Sequence, residues 1–142
     1  MAGSKSDYLE KVVLNLVLGG AAYTSPATVY VALSTAAYSD AATGSAMTEV
    51  SSSGTNYGRV AVTNNSTNWP NATGTNPAVK QNATAITFPT ASAAWGTVLS
   101  FYICDASSGG NVLYGGDLSA SKVVGSGDTA TFSVGAMTIT ED

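Results

Sequence analysis

No histidine occurs anywhere in the 142 residues. That removes the usual general base, the commonest metal ligand and every standard Ser-His-Asp or Cys-His arrangement. Cysteine is present once, as Cys104, so no internal disulfide can form and the fold must be held by packing and backbone pairing. With no histidine to activate it and apolar neighbours around it, Cys104 is expected to be a buried, inert thiol. Charge is scarce as well, at 10% of residues against roughly 25% in an average domain. The cations Lys5, Lys11, Arg59, Lys80 and Lys122 are scattered along a chain of net charge −4 and leave no clustered basic face. A nucleic-acid partner needs such a face for its phosphates, so none is expected. Long apolar runs are also missing. Val12–Leu18 is interrupted by Asn15 and is too short to span a bilayer, so no membrane insertion is expected.

Short polar and small residues stand where the charges would be: Ser, Thr, Asn, Gly and Ala. Hydroxyl and amide side chains of this size lose less rotamer entropy than Lys or Glu when pinned at a contact, which suits a protein that sits among neighbours. A β protein that is simply rich in Thr and Ser would look the same. A chain of this length reads as one domain, 1–142, able to bury about 68–70% of its unfolded surface. It divides into an N-terminal helix with its cap over 1–20 and a β-sandwich over 27–142, with long loops near 35–56 and 64–83.

The N-terminal stretch is helix rather than secretion signal. Asp7 and Glu10 put acids where a signal would carry positive charge. Ser6 or Asp7 serves as N-cap, acids occupy the first turn, and Gly19-Gly20 stops the helix. Leu9, Val12, Val13, Leu16 and Val17 share one face, which either docks on the sheet or meets a partner; docking is the favoured reading.

Strands follow. Val29, Val31 and Leu33 alternate with Thr28, Tyr30 and Ala32, the period of a strand with one buried face. Further strands are expected at Tyr57–Thr63, Thr84–Phe88, Trp95–Cys104, Val112–Tyr114, Lys122–Val124, Thr129–Val134 and Met137–Thr140, with a short one at Glu49-Val50. Trp95–Asp117 reads as a central hairpin turning through Asp105-Ala-Ser-Ser-Gly-Gly-Asn111. About eight short strands and one short helix predict a mainly β fold, an antiparallel β-sandwich or jelly roll.

The polar loops hold the remaining signals. Four matches to the glycosylation pattern, at Asn64, Asn65, Asn71 and Asn82, read as turn chemistry in a chain this rich in Asn, Ser and Thr. Trp69 in a polar loop is either clamping that loop to the body or waiting for a partner, with clamping favoured. Asp105, Asp117 and Asp128 lie near expected turns, but nothing in their spacing selects a catalytic pair, and acids at turns commonly hold backbone N–H groups. Gly109-Gly110 and Gly125-Ser-Gly127 lack the strand-to-helix setting of a phosphate cradle. A surface calcium at Asp40 or Asp128 stays open. No enzyme activity and no cofactor are expected.

Four groups of residues, in this order and spacing, resemble one family: Tyr30-Val-Ala-Leu-Ser-Thr35; Thr48-Glu-Val-Ser51 with Tyr57-Gly-Arg59; Ile86-Thr-Phe-Pro89 with Trp95-Gly96; and Asp105-Ala106 with Gly109-Gly110-Asn111. Together they are similar to the small virion proteins of tailed bacteriophages and prophages described as tail-fibre or minor tail proteins. The resemblance implies a non-enzymatic structural protein, made in the bacterial host cytoplasm and placed in the virion. It would assemble with itself as a homo-oligomer, and with other virion proteins, at a tail tip or fibre. A capsid decoration protein is the alternative, and a lectin-like module binding a host surface glycan the third reading, with Trp69 and Tyr57 stacking on sugar rings. Leu9, Val12, Val13, Leu16, Tyr57 and Trp69 are the candidate partner-facing residues. The resemblance transfers no catalytic residue and no cofactor.

Overall fold

The computed structural model describes residues 2–142. In chain order its elements are β1 (Ser4–Lys5), α1 (Asp7–Val17), β2 (Thr28–Ser34), β3 (Val60–Thr63), β4 (Ala78–Gln81), β5 (Ile86–Thr87), β6 (Gly96–Cys104), β7 (Val112–Val124), β8 (Thr131–Phe132) and β9 (Thr138–Glu141). A five-stranded antiparallel sheet in the order β1-β7-β6-β2-β3 faces two short ribbons, β4–β9 and β5–β8. The fold is mainly β with one short helix and has the layering of an antiparallel sandwich, as the strand pattern predicts.

The central sheet is covered on both faces. On one, Val29, Val31 and Leu33 of β2 join Phe101 and Ile103 of β6 and Leu113 of β7 in a core closed by Ile86, Met137 and Ile139 from the ribbon side. On the other, Ala32, Tyr102, Cys104 and Val112 form a smaller core roofed by Tyr38, Ala42 and Met47. Alternation along β2 predicts a single buried face. The stretch 35–56 supplies the second cover, so burial becomes continuous from Val31 to Ser34. Each fully buried Val, Leu or Phe stabilises the fold by about 1.5–3 kcal/mol.

The roof is held through backbone groups rather than through its small side chains. Thr35 N–H donates to the Thr48 carbonyl and Val50 N–H to the Leu33 carbonyl, which lays Glu49-Val50 alongside the end of β2 as an isolated bridge. Asp117 accepts from Tyr38 N–H at 2.7 Å. Gly44 N–H donates to the Gly110 carbonyl at 3.1 Å, and a Cβ at Gly44 would collide with the Gly109 carbonyl. This contact admits only glycine.

Several expected strands are shorter than their sequence signals, β3, β5 and β8 among them, and three departures are larger. Lys122–Val124 is no separate strand but the end of β7, which runs unbroken from Val112. Gly115 and Gly116, inside this strand, are where other chain segments come close: a Cβ on Gly116 would lie 2.8 Å from the Ala2 carbonyl oxygen, and one on Gly115 would enter the Tyr38 ring. β4 lies inside the expected loop 64–83, hidden because Ala78-Val-Lys-Gln81 carries one β-branched residue and pairs with the distant β9. β1 is too short to show a period. It pairs with β7 through Ser4 and Lys5, while Gly3 N–H donates to the Thr138 carbonyl and the Gly3 carbonyl accepts from Thr140 N–H. The first residues thus join the main sheet to the β4–β9 ribbon.

Candidate functional site

Helix α1 starts as its sequence requires. Ser6 Oγ accepts from Leu9 N–H at 3.2 Å and donates to the Val112 carbonyl, so one hydroxyl caps the helix and fastens it to β7. Docking is shallow. Leu9 is buried and Val12 half-buried, while the second half of the helix turns Val13, Leu16, Leu14 (59% exposed), Val17 (70%) and Leu18 (75%) outward. A helix of 11 residues that buries one side chain leaves most of its apolar surface in water. No helix among the described residues is long and apolar enough to cross a membrane.

The six sequence candidates therefore do not converge. Val13 and Leu16 reach solvent, whereas Leu9, Tyr57 and Trp69 lie inside, the last two each 7% exposed. In this chain these three are covered by their own fold, and the cause is visible in what they touch. The Tyr57 hydroxyl accepts from Leu33 N–H at 2.9 Å, a β2 donor beyond the end of its pairing with β3, and donates to Glu49 Oε1 at 2.8 Å. Its ring meets Trp95 edge-on at 5.2 Å and lies nearly parallel to Phe88 at 6.2 Å. Trp69 belongs to the same core and lines a cavity together with Val29, near the other end of β2, and Leu9.

Beside Tyr57 sits a polar cluster that sequence spacing does not reveal. Arg59 Nε and Nη2 reach the two Glu49 carboxylate oxygens at 2.8 and 2.9 Å. Its Nη1 donates to the carbonyls of Ala106 and Gly109, and Nη2 donates also to that of Gly44. The Arg59 side chain is 2% exposed. This bidentate pair ties the roof to the turn of the β6–β7 hairpin.

The acids with catalytic potential are occupied structurally. Asp105 accepts from Asn111 N–H at 2.7 Å and from Asn111 Nδ2 at 2.8 Å, closing the hairpin turn. Asp128 Oδ2 accepts from Gly125 N–H at 2.8 Å, and Asp117 holds Tyr38. Among the described residues no group of three or more His, Cys, Asp or Glu is placed to hold a metal. Asn82 is buried and donates to the carbonyls of Thr84 and Ser133 while accepting from Met137 N–H. Asn64 donates to the Pro26 carbonyl, and Asn65 accepts from Asn68 N–H.

Burial, with some relief from Arg59, pushes the Cys104 thiol up from its ordinary 9.0 to about 11. We expect no reaction with a disulfide probe such as Ellman's reagent at pH 8 in the native protein, and one equivalent on unfolding in urea. Prompt native labelling would show the second core to be open. A raised pKa contributes stability below the unfolded value and loses it as pH climbs through the folded one. Stability should therefore hold to about pH 9 and fall towards pH 11. Tyr57 and Tyr38, whose phenols are held above 10.0 chiefly by burial, extend the loss in the same direction.

A half-open cavity of about 300 Å³ lies where α1, the linker behind it, the main sheet and the β4–β9 ribbon meet. Leu9, Val29, Ile103, Leu113 and Ile139 give it apolar walls, and Tyr23, Trp69, Tyr114, Asn64, Lys80 and Glu141 give it aromatic and polar groups. Two buried polar atoms among these residues have no partner, the Trp69 indole N–H and Glu141 Oε1. The other Glu141 oxygen pairs with Lys5. An unfilled buried donor or acceptor costs about 1–3 kcal/mol. Sequence reasoning finds Trp69 but not Glu141 or Tyr23, which only the fold brings to the same place.

A family model described as Podophage GP4 fiber I protein gp80 matches residues 4–140. No curated protein matches the chain.

Proposed function

The chain belongs to the family described as Podophage GP4 fiber I protein gp80, and from that premise we propose that it is a structural fibre component of a tailed-phage virion, built as a homo-oligomer and carried at the tail. The role is mechanical and non-catalytic. One observation carries the self-assembly: the apolar face that α1 turns away from its own sheet. Contiguous exposed apolar surface of this kind marks a contact with another chain. A fibre subunit supplies such contacts by repetition, and the low charge of the surface lets copies approach with little repulsion.

Light scattering on purified protein is expected to give a multiple of the single-chain mass. The double substitution Leu14→Glu with Val17→Glu should return it to one chain that still folds, since neither side chain is covered by its own sheet. A single-chain mass for the unaltered protein would sink the homo-oligomer. Antibody labelling of intact particles tests the location. Signal at the tail is expected; signal on the head would favour a decoration protein instead. Burial of the Tyr57 and Trp69 rings supports the fibre reading over a lectin-like platform built on these two side chains.

A further inference from the structure

We propose that the apolar end of α1 seats in the half-open cavity of a second copy of the chain, so that each copy offers a helix end to one neighbour and a cavity to another. This rests on the homo-oligomer reading above and names the two surfaces that meet. Leu14, Val17 and Leu18 stand at i, i+3 and i+4, which gathers them on one side of the helix end, and each is more than half exposed. None of them lines the cavity of its own chain, where Leu9 is the one residue that α1 contributes. Projection and hollow are thus both unfilled within a single copy.

The two surfaces match in chemistry and in charge. Val29, Val79, Ile103, Leu113 and Ile139 make the cavity walls largely aliphatic, and its volume of about 300 Å³ admits side chains rather than a whole helix. Outside residues 8–18 the exposed large apolar side chains among the described residues are Val123 and Val134, single valines with no apolar neighbour in sequence to make a cluster. The end of α1 is therefore the projection that this chain supplies. No charged residue lies between Lys11 and Asp40, so seating that end buries no ionised side chain of its own. Its last turn has no basic residue, and the carbonyls of Leu16 and Val17 accept no backbone N–H, which leaves the partial negative charge of a helix C-terminus unanswered. Across the contact stands Lys80, a cavity-lining cation with no ion pair among the described residues, whereas Glu141 of the same lining is already held by Lys5. A contact between two different patches is heterologous, and where it does not close on itself it repeats into a row, as a fibre requires.

Two single-cysteine variants test the contact. Leu18→Cys marks the helix end, with Leu14 and Val17 kept, and Ala72→Cys marks the exposed side of the cavity. The native Cys104 is buried and stays out of reach. One variant is labelled with nitrogen-15, the two are mixed and treated with oxidised glutathione, and linked peptides are identified by mass spectrometry. Links from position 18 of one chain to position 72 of the other are expected to exceed those joining like positions. Lys80→Glu in an otherwise native chain should raise the concentration needed for association about tenfold. An oligomer that yields no link from 18 to 72, or whose association is unmoved by Lys80→Glu, overturns the proposal and leaves self-assembly standing; abundant links from 18 to 18 would then make it a pairing of helix with helix. A single-chain mass for the unaltered protein sinks both readings together.

Discussion

Replacing Arg59 with Met is expected to destabilise the protein by about 3 kcal/mol, the lower end of the range for breaking a buried ion pair from one side, because Glu49 keeps 23% of its side-chain surface in contact with solvent. The substitution keeps the aliphatic stem but removes every donor. Glu49 is left charged beside Tyr57 with one hydroxyl in place of three donors, and the carbonyls of Gly44, Ala106 and Gly109 lose a shared partner. Total stability for a domain is typically ~5–15 kcal/mol, so the variant should lose a large part of its margin. Glu49→Gln should cost less, since a neutral amide still accepts from the guanidinium. Urea unfolding of both variants checks the order. A loss below about 1 kcal/mol for Arg59→Met would mean that the cluster behaves like a solvated surface pair.

Trp95→Ala should have a comparable effect, about 3–5 kcal/mol. Trp95 is the point where three separate stretches meet. Its ring takes Tyr57 edge-on at 5.2 Å and Phe88 at 6.2 Å, its indole N–H donates to the Thr55 carbonyl, and its backbone N–H donates to the Val124 carbonyl at the start of the β6–β7 pairing. Truncation opens a cavity between rings that cannot easily collapse, and it strands a buried carbonyl. Trp95→Phe should retain part of the packing and lose only the hydrogen bond, so thermal melting is expected to rank native above Phe above Ala. A Phe variant as unstable as the Ala variant would place the whole effect in the hydrogen bond.

What the sequence reveals and what it conceals follows the reach of each interaction. Helix α1 is legible because its signals are local: Ser6 caps three residues ahead, the acids follow, and Gly19-Gly20 ends it. β2 and the β6–β7 hairpin are legible because alternation and turn chemistry act over a few residues. The far end of β7 is not, since its glycines answer to Tyr38 and to residues 2 and 3, more than 70 positions away. The same holds for the site. Trp69 stands out in its loop, but its place in the core and the cavity it shares with Leu9, Val29 and Glu141 exist only in the fold. Helical periodicity identifies the apolar residues of α1 correctly and cannot say which of them the sheet will cover. The helix rests on β7 and β1, and Leu9 and Val12 are the aliphatic side chains of α1 that end up covered.

The pairing of Gly3 with Thr138 and Thr140, together with that of Ser4 with Gly115, sets an order on how the fold can be made. During translation α1 can wind as soon as it emerges, but β7, on which it rests, is not complete until residue 124 has been synthesised. The ribbon joined by Gly3 comes later still. At ~5–20 residues per second, the apolar side chains of the helix stay unshielded for seconds while the remaining chain appears. Contacts that span nearly the whole chain also place folding on the slow side, in the ms–s range of β-rich topologies. Nascent chains on the same messenger thus expose the same helical faces at the same time, and early pairing between neighbouring copies would shelter those faces before either sheet is finished.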